Sequence, residues 1–227
     1  MILVSLGFSL AYATACAFWP GSDGRSAATL TLLNLALFFT YSLIKGTKER
    51  AFLCLLLSAA VLGAVALIAD HLCIRFTGTL DYSVSKSFLI LSSPWWMPLA
   101  WMVVSVQVGI LGDAFICRFG QLRGALLCGA LGALLIPFYE EMAWGANWWR
   151  YENCLLISRT PLYIIVCEAF IGAGIALWGY WNLRQSNLKA SLVLGLAAGV
   201  LIIFSGILGW GLVEFLARGA RPLSFKY

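Results

Sequence analysis

Charge is what this chain has least of: only 11% of its 227 residues are Asp, Glu, Lys or Arg, where a soluble domain carries about a quarter. With 62% hydrophobic residues and a mean hydropathy of +0.90, a water-soluble fold is excluded, because it could not hide that much apolar surface. A single histidine excludes the multi-histidine clusters of membrane di-iron desaturases. Of the seven cysteines, Cys16, Cys54, Cys128 and Cys167 lie inside apolar runs and none forms a CxxC or Cys/His pattern, so neither a zinc site nor a disulfide framework is indicated. There is no GxSxG, HExxH or GxxxxGK[ST], and no GxGxxG following a strand, so hydrolase, zincin and nucleotide chemistries find no support.

What is present is a series of apolar runs at 1–19, 27–44, 51–74, 95–117, 124–143, 161–182 and 190–216. Each is near the length that crosses a hydrocarbon core of about 30 Å. The expectation is one all-α integral membrane domain over 1–227, a polytopic bundle of about seven spans. The first run has signal-peptide apolarity but no basic start and no small-x-small cleavage site before Pro20, so it is read as a membrane helix. The net charge of +5 resides in helix-flanking loops, which points to topology and away from nucleic acid. Loops on the N-terminal side (side A) are short and basic, with Lys45, Lys48, Arg50, Arg118, Arg123, Arg184 and Lys189, and the positive-inside tendency assigns them to the cytoplasm. The opposite side (side B) carries Arg25, Arg75, Lys86, Arg150, Arg159, Arg218, Arg221 and Lys226, which leaves the other orientation, N-terminus outside, open. The bacterial cytoplasmic membrane is the expected location.

Two longer loops on side B look like relatives. Asp81-Tyr82 leads to Pro94, and Arg150-Tyr151 leads to Pro161. Each has a Tyr-bearing polar stretch, an amphipathic run (Ser87–Leu91; Cys154–Ile157) and then a Pro expected in the first turn of a helix. Both are expected to lie against side B as lids.

An ionisable residue inside a span costs about 2.5–3.5 kcal/mol on insertion scales, so each is a functional candidate. Asp70, His71, Glu140, Glu141 and Glu214 fall near the B ends of their spans, and Glu168 lies seven positions after Pro161, roughly 10 Å below the B end. The aromatic residues Tyr82, Trp95, Trp96, Tyr139, Trp144, Trp148, Trp149, Tyr151, Tyr163 and Trp210 gather on the same side. Glu140/Glu141, Trp144 and Trp148 recur at helical spacing and would line one surface if the fifth helix continued past the membrane. A desolvated carboxyl keeps its proton and can give it to an alkene, while aromatic faces stabilise the resulting cation. The plainer alternative is an interfacial aromatic belt with boundary carboxylates. Asp113 reads as a boundary salt bridge, and Asn34 and Gln107 as interhelical hydrogen-bonding residues.

The segments "HLCIRFTGTLDYSV…SSPWWMPLAW" and "PFYEEMAWGANWWRYEN…TPLYIIVCEAF" resemble the small polytopic carotenoid hydratases and membrane lycopene cyclases, over roughly Asp70 to Phe170. Thr77-Gly78, Tyr82, Pro94 and Pro98-Leu99-Ala100-Trp101 match the first part of that pattern; Glu140/Glu141, Trp149, Tyr151 and Pro161-Leu162 match the second. Ser93 and Thr160 stand where those families usually place glycine before the later prolines. The resemblance implies cofactor-free, acid-catalysed addition or ring closure on a polyene.

Together these readings point to an acid–base membrane enzyme, a lyase or isomerase acting on an isoprenoid or other lipid by hydration, cyclisation or isomerisation. Glu140, Glu141, Glu168 and Asp70 are its catalytic candidates, and Trp144, Trp148, Trp149, Tyr151, Tyr163, Tyr82 and Trp95 its substrate-binding candidates. No metal or other cofactor is called for. The rivals are a non-enzymatic subunit that packs pigment or lipid with partners in a membrane complex, and a small proton-coupled transporter.

Overall fold

The computed structural model describes residues 1–45 and 50–216; Lys48, Arg218, Arg221 and Lys226 lie outside them. Seven helices follow in order: α1 (Ile2–Ala17), α2 (Gly24–Lys45), α3 (Arg50–Leu72), α4 (Met97–Phe119), α5 (Gln121–Gly145), α6 (Leu162–Asn182) and α7 (Leu188–Trp210). Six of them, α2 to α7, are long and apolar enough to cross a membrane, and the chain is an all-α polytopic helix bundle. Its first helix is shorter than expected, at 16 residues, or about 24 Å. It nevertheless runs the depth of the bundle, with Met1 and Ile2 beside Tyr41 and Phe52 at one end and Ala17 against Gly145 at the other.

With lipid outside, apolarity alone does not bring helices together, so small residues and buried polar contacts must. Gly109 of α4 faces Gly179 of α6, and Gly129 of α5 faces Gly172 of α6, each with backbone against backbone. A side chain at either crossing would force the helices apart. The interhelical role expected of Asn34 and Gln107 is realised in one buried network. Asn34 Nδ2 donates to Ser9 Oγ at 3.1 Å, Gln107 Nε2 donates to Ser5 Oγ at 2.7 Å, and Ser5 Oγ donates to Asn34 Oδ1, joining α1, α2 and α4. Asp113 makes its boundary ion pair with Arg184.

The two B-side loops are built alike. Two hairpins, β2 (Leu89–Ile90) with β3 (Ser93–Pro94) and β5 (Leu156–Ile157) with β6 (Thr160–Pro161), occupy the places expected of amphipathic runs. One spacing relates Leu89 to Leu156, Leu91 to Ser158 and Lys86 to Asn153, and the last four all have positive φ. The same spacing relates the hydrogen bond Trp95 N→Phe88 O to Leu162 N→Leu155 O. The loops are also joined to each other, because β1 (Leu80–Asp81) pairs antiparallel with β4 (Arg150–Tyr151). α3–loop–α4 and α5–loop–α6 are thus two related halves, joined through their loops. The helix starts differ from expectation. Pro94 belongs to β3 and the proline of the first turn is Pro98, whereas Pro161 sits directly before α6.

Candidate functional site

Glu140 lies in the last turns of α5 and is 4% exposed. After Gly145 the chain reverses through Asn147, at φ 53°, which brings Trp149 back over the helix it has just left. Its indole Nε1 donates to Glu140 Oε2, and the Tyr151 hydroxyl lies in reach of the same carboxyl. Four rings surround the Trp149 indole: Tyr82 at 6.3 Å, Trp96 at 6.4 Å, Tyr139 at 6.3 Å and Trp148 at 6.1 Å between centroids. Ring pairs at such separations are worth about 0.5–1.5 kcal/mol each beyond their buried area, so the cluster holds Trp149, and with it Glu140, in one place.

The other half repeats the arrangement with different residues. The spacing that relates β1 to β4 also relates Asp70 to Glu140 and His71 to Glu141. Asp70, 7% exposed, accepts from Tyr82 Oη at 3.0 Å and from Ser93 Oγ at 3.1 Å. The Trp101 indole N–H is nearby without closing a hydrogen bond. His71 Nδ1 lies 2.8 Å from Ser92 Oγ; at the matching place Glu141 Oε1 accepts from the Arg159 amide at 3.1 Å. Tyr82 links the halves, since it donates to Asp70 and stands edge-on to Trp149.

Glu168 comes from α6. It is half-buried, lies within charge–charge range of Glu140, and accepts no hydrogen bond from any described residue. Asp70 is likewise within charge range of Glu140, so acids from α3, α5 and α6 converge at one end of the bundle. The loop tyrosines beside them are neutral donors. Burial, and then the neighbouring Asp70, raises Tyr82 well above the ordinary phenol range. Burial, and then Glu140, does the same to Tyr151. Tyr163 stacks edge-on to Tyr151 at 6.5 Å and shares a 2.8 Å hydrogen bond with Thr79 Oγ1. Among the described residues no three His, Cys, Asp or Glu side chains are placed to hold a metal ion.

Not every expected residue joins the group. The helical face expected to carry Glu140, Glu141, Trp144 and Trp148 is interrupted, because α5 stops at Gly145 and the chain turns. Glu141 points away and pairs with Arg159 at 3.6 Å. Trp144 lies under two guanidinium groups, those of Arg159 at 3.4 Å and Arg150 at 4.9 Å. Trp148 does join the ring cluster beside Trp149, but from the turn and not from a continued helical face, and its Nε1 donates to Ser26 Oγ at 2.8 Å. Trp95 is 37% exposed, while its neighbour Trp96, at 1%, is the one that enters the cluster. Trp96, Tyr139 and Trp101 are additions that the sequence did not single out as site residues. The doublet Trp95-Trp96 showed that an aromatic stood here, but not which of the two turned inward.

No curated protein matches the chain, and no solved structure does. Residues 67–213, a stretch that runs from the end of α3 through both loops and holds Asp70, Glu140 and Glu168, match the domain of unknown function DUF6989, and the chain belongs to that family.

Proposed function

We propose that this protein is a membrane enzyme that protonates an alkene in an isoprenoid or similar apolar lipid, leading to hydration, cyclisation or isomerisation. The observation that carries the reading is the convergence of Asp70, Glu140 and Glu168 from three helices beside a cluster of five aromatic rings. A carboxylic acid delivers its proton to one alkene carbon, forming a C–H bond and a carbocation, and aromatic faces stabilise that charge. Attack by water or by a second double bond, followed by proton return to the carboxylate, or proton loss alone, regenerates the acid without an added cofactor.

Glu168 suits the role of donor, because no described residue occupies its carboxyl. Glu140 is oriented by Trp149 and suits the role of partner base. Asp70, held by Tyr82 and Ser93, suits a positioning role through Tyr82. The resemblance to carotenoid hydratases and membrane lycopene cyclases supports the same chemistry.

The test is to express Glu168→Gln and Glu140→Gln separately in a host that accumulates linear isoprenoids and to compare lipid extracts by mass spectrometry. Loss of a protein-dependent product in either variant, with unchanged elution in detergent, is the expected result. A product profile identical to that of the unsubstituted protein in both would overturn the proposal. A wild-type protein without any product, isolated with a stoichiometric partner, would favour a packing subunit.

A further inference from the structure

At the opposite end of the bundle, where α6 gives way to α7, a cavity of about 600 Å³ is lined by Trp181, Arg184, Gln185, Lys189, Val193 and Leu194. Arg184, Gln185 and Lys189 are its polar residues, and Trp181 of α6 with Val193 and Leu194 of α7 its apolar ones. Arg184 is fixed in direction, with Nη1 on Asp113 and on the Tyr180 carbonyl oxygen, Nη2 3.0 Å from Cys117 Sγ, and its guanidinium 3.6 Å from the Tyr180 ring centre. Gln185 contributes an amide nitrogen that is shut away from solvent and has no partner. Lys189 takes part in no ion pair among the described residues. The first N–H groups of α7 are already taken by the Asn187 cap, so any anion here would be recognised by side chains.

From Lys189 the wall descends to Val193 and Leu194, about 7 Å along the helix, beside the exposed ring of Trp181. Cationic side chains beside an apolar wall, at the end of membrane-length helices, match an amphiphile with an anionic head. We propose that this cavity binds an anionic phospholipid, with Arg184, Lys189 and the Gln185 amide directed to the phosphoryl oxygens and an acyl chain lying along Val193 and Leu194. The site is independent of the reaction proposed above and stands or falls separately.

The experiment uses the full chain in mild detergent, titrated with phosphatidylglycerol or phosphatidylcholine of identical acyl chains and read by native mass spectrometry. The expected result is one phosphatidylglycerol adduct retained in preference to phosphatidylcholine. Lys189→Gln should weaken it about fivefold, the usual effect of one surface cation near an anionic lipid. Ala190 also lines the cavity, so Ala190→Trp, which fills it and keeps its charge, should abolish the preference. Arg123→Gln, a charge removed at the same end but outside the cavity, should leave it unchanged. Lys189→Gln is a surface change compatible with folding, so its result decides even if the tryptophan variant aggregates. Equal retention of both lipids, an unaltered adduct in Lys189→Gln, or an equal loss in Arg123→Gln overturns the proposal. Displacement by inorganic phosphate at equal concentration overturns it as well, by marking a free-phosphate site.

Discussion

The α4–α6 crossing brings the two halves of the chain together, and one methyl group tests it. A Cβ added at Gly179 would lie 2.5 Å from both the Cα and the carbonyl carbon of Gly109, and nearer still to its oxygen. Comfortable carbon–carbon contact is about 3.5–4.0 Å, so the two helices would have to separate by about 1 Å, and backbone cannot rotate out of the way as a side chain can. Overpacking of this kind costs about 1–3 kcal/mol. The matched control is Gly206→Ala in α7, where an added Cβ meets nothing within 4 Å and helix propensity favours Ala by about 0.8–1 kcal/mol. That gain is common to both variants and cancels, so they should differ by the overpacking cost alone, about 1–3 kcal/mol, although they are the same substitution in the same kind of helix. Reversible unfolding in mixed micelles of rising SDS fraction, followed by circular dichroism, reads that difference directly. Equal midpoints for Gly179→Ala and Gly206→Ala would refute backbone contact between α4 and α6, and with it the placing of the two halves.

Three other outcomes are expected. Asn34→Leu removes the shared centre of the Ser5–Ser9–Gln107 network and should lower stability by about 0.6–1.7 kcal/mol, the range of membrane interhelical hydrogen bonds; in the same assay Asn34→Leu combined with Gln107→Leu should cost less than the two single changes added together. Tyr82 and Tyr151 are raised well above the ordinary phenol value, so the stability they confer is complete below about pH 10 and is lost as pH rises from there towards their folded values. In absorbance titration at about 295 nm these two should stay protonated until the protein unfolds, and ionisation of all eight tyrosines in one step at the ordinary value would contradict their burial. Cys117 is exposed while Cys16, Cys54, Cys128 and Cys167 are buried, so a membrane-impermeant maleimide should label Cys117 in detergent and spare those four, and labelling in sealed vesicles of known sidedness assigns side A.

The helices were legible because length and apolarity are properties of a run and survive uncertainty at its ends. The depth of Asp70, Glu140 and Glu168 was legible for the same reason: counting residues along a helix gives distance along its axis. Direction around the axis was not. Taking Pro94 as the first helical residue misplaces the start of α4 by several positions, and Trp95 then exchanges roles with Trp96. The face drawn through Glu140, Trp144 and Trp148 assumed an unbroken period, and the reversal after Gly145 breaks it, leaving Trp144 with Arg150 and Arg159. The two-residue strands carry no periodic signal at all. They follow from tertiary pairing and from turns at Leu91 and Ser158, residues whose chemistry does not announce a positive φ. The kinship of the two loops could be seen in the sequence as a repeated order of Tyr and Pro, but their direct pairing could not.

That pairing constrains how anything reaches the acids. Leu80 and Asp81 are laced to Tyr151 and Arg150, so neither cover can lift without dragging the other or unlacing the seam. For the reaction proposed above, a greasy guest would therefore find its easiest way in sideways, from the acyl phase between helices, where only side chains need to give way.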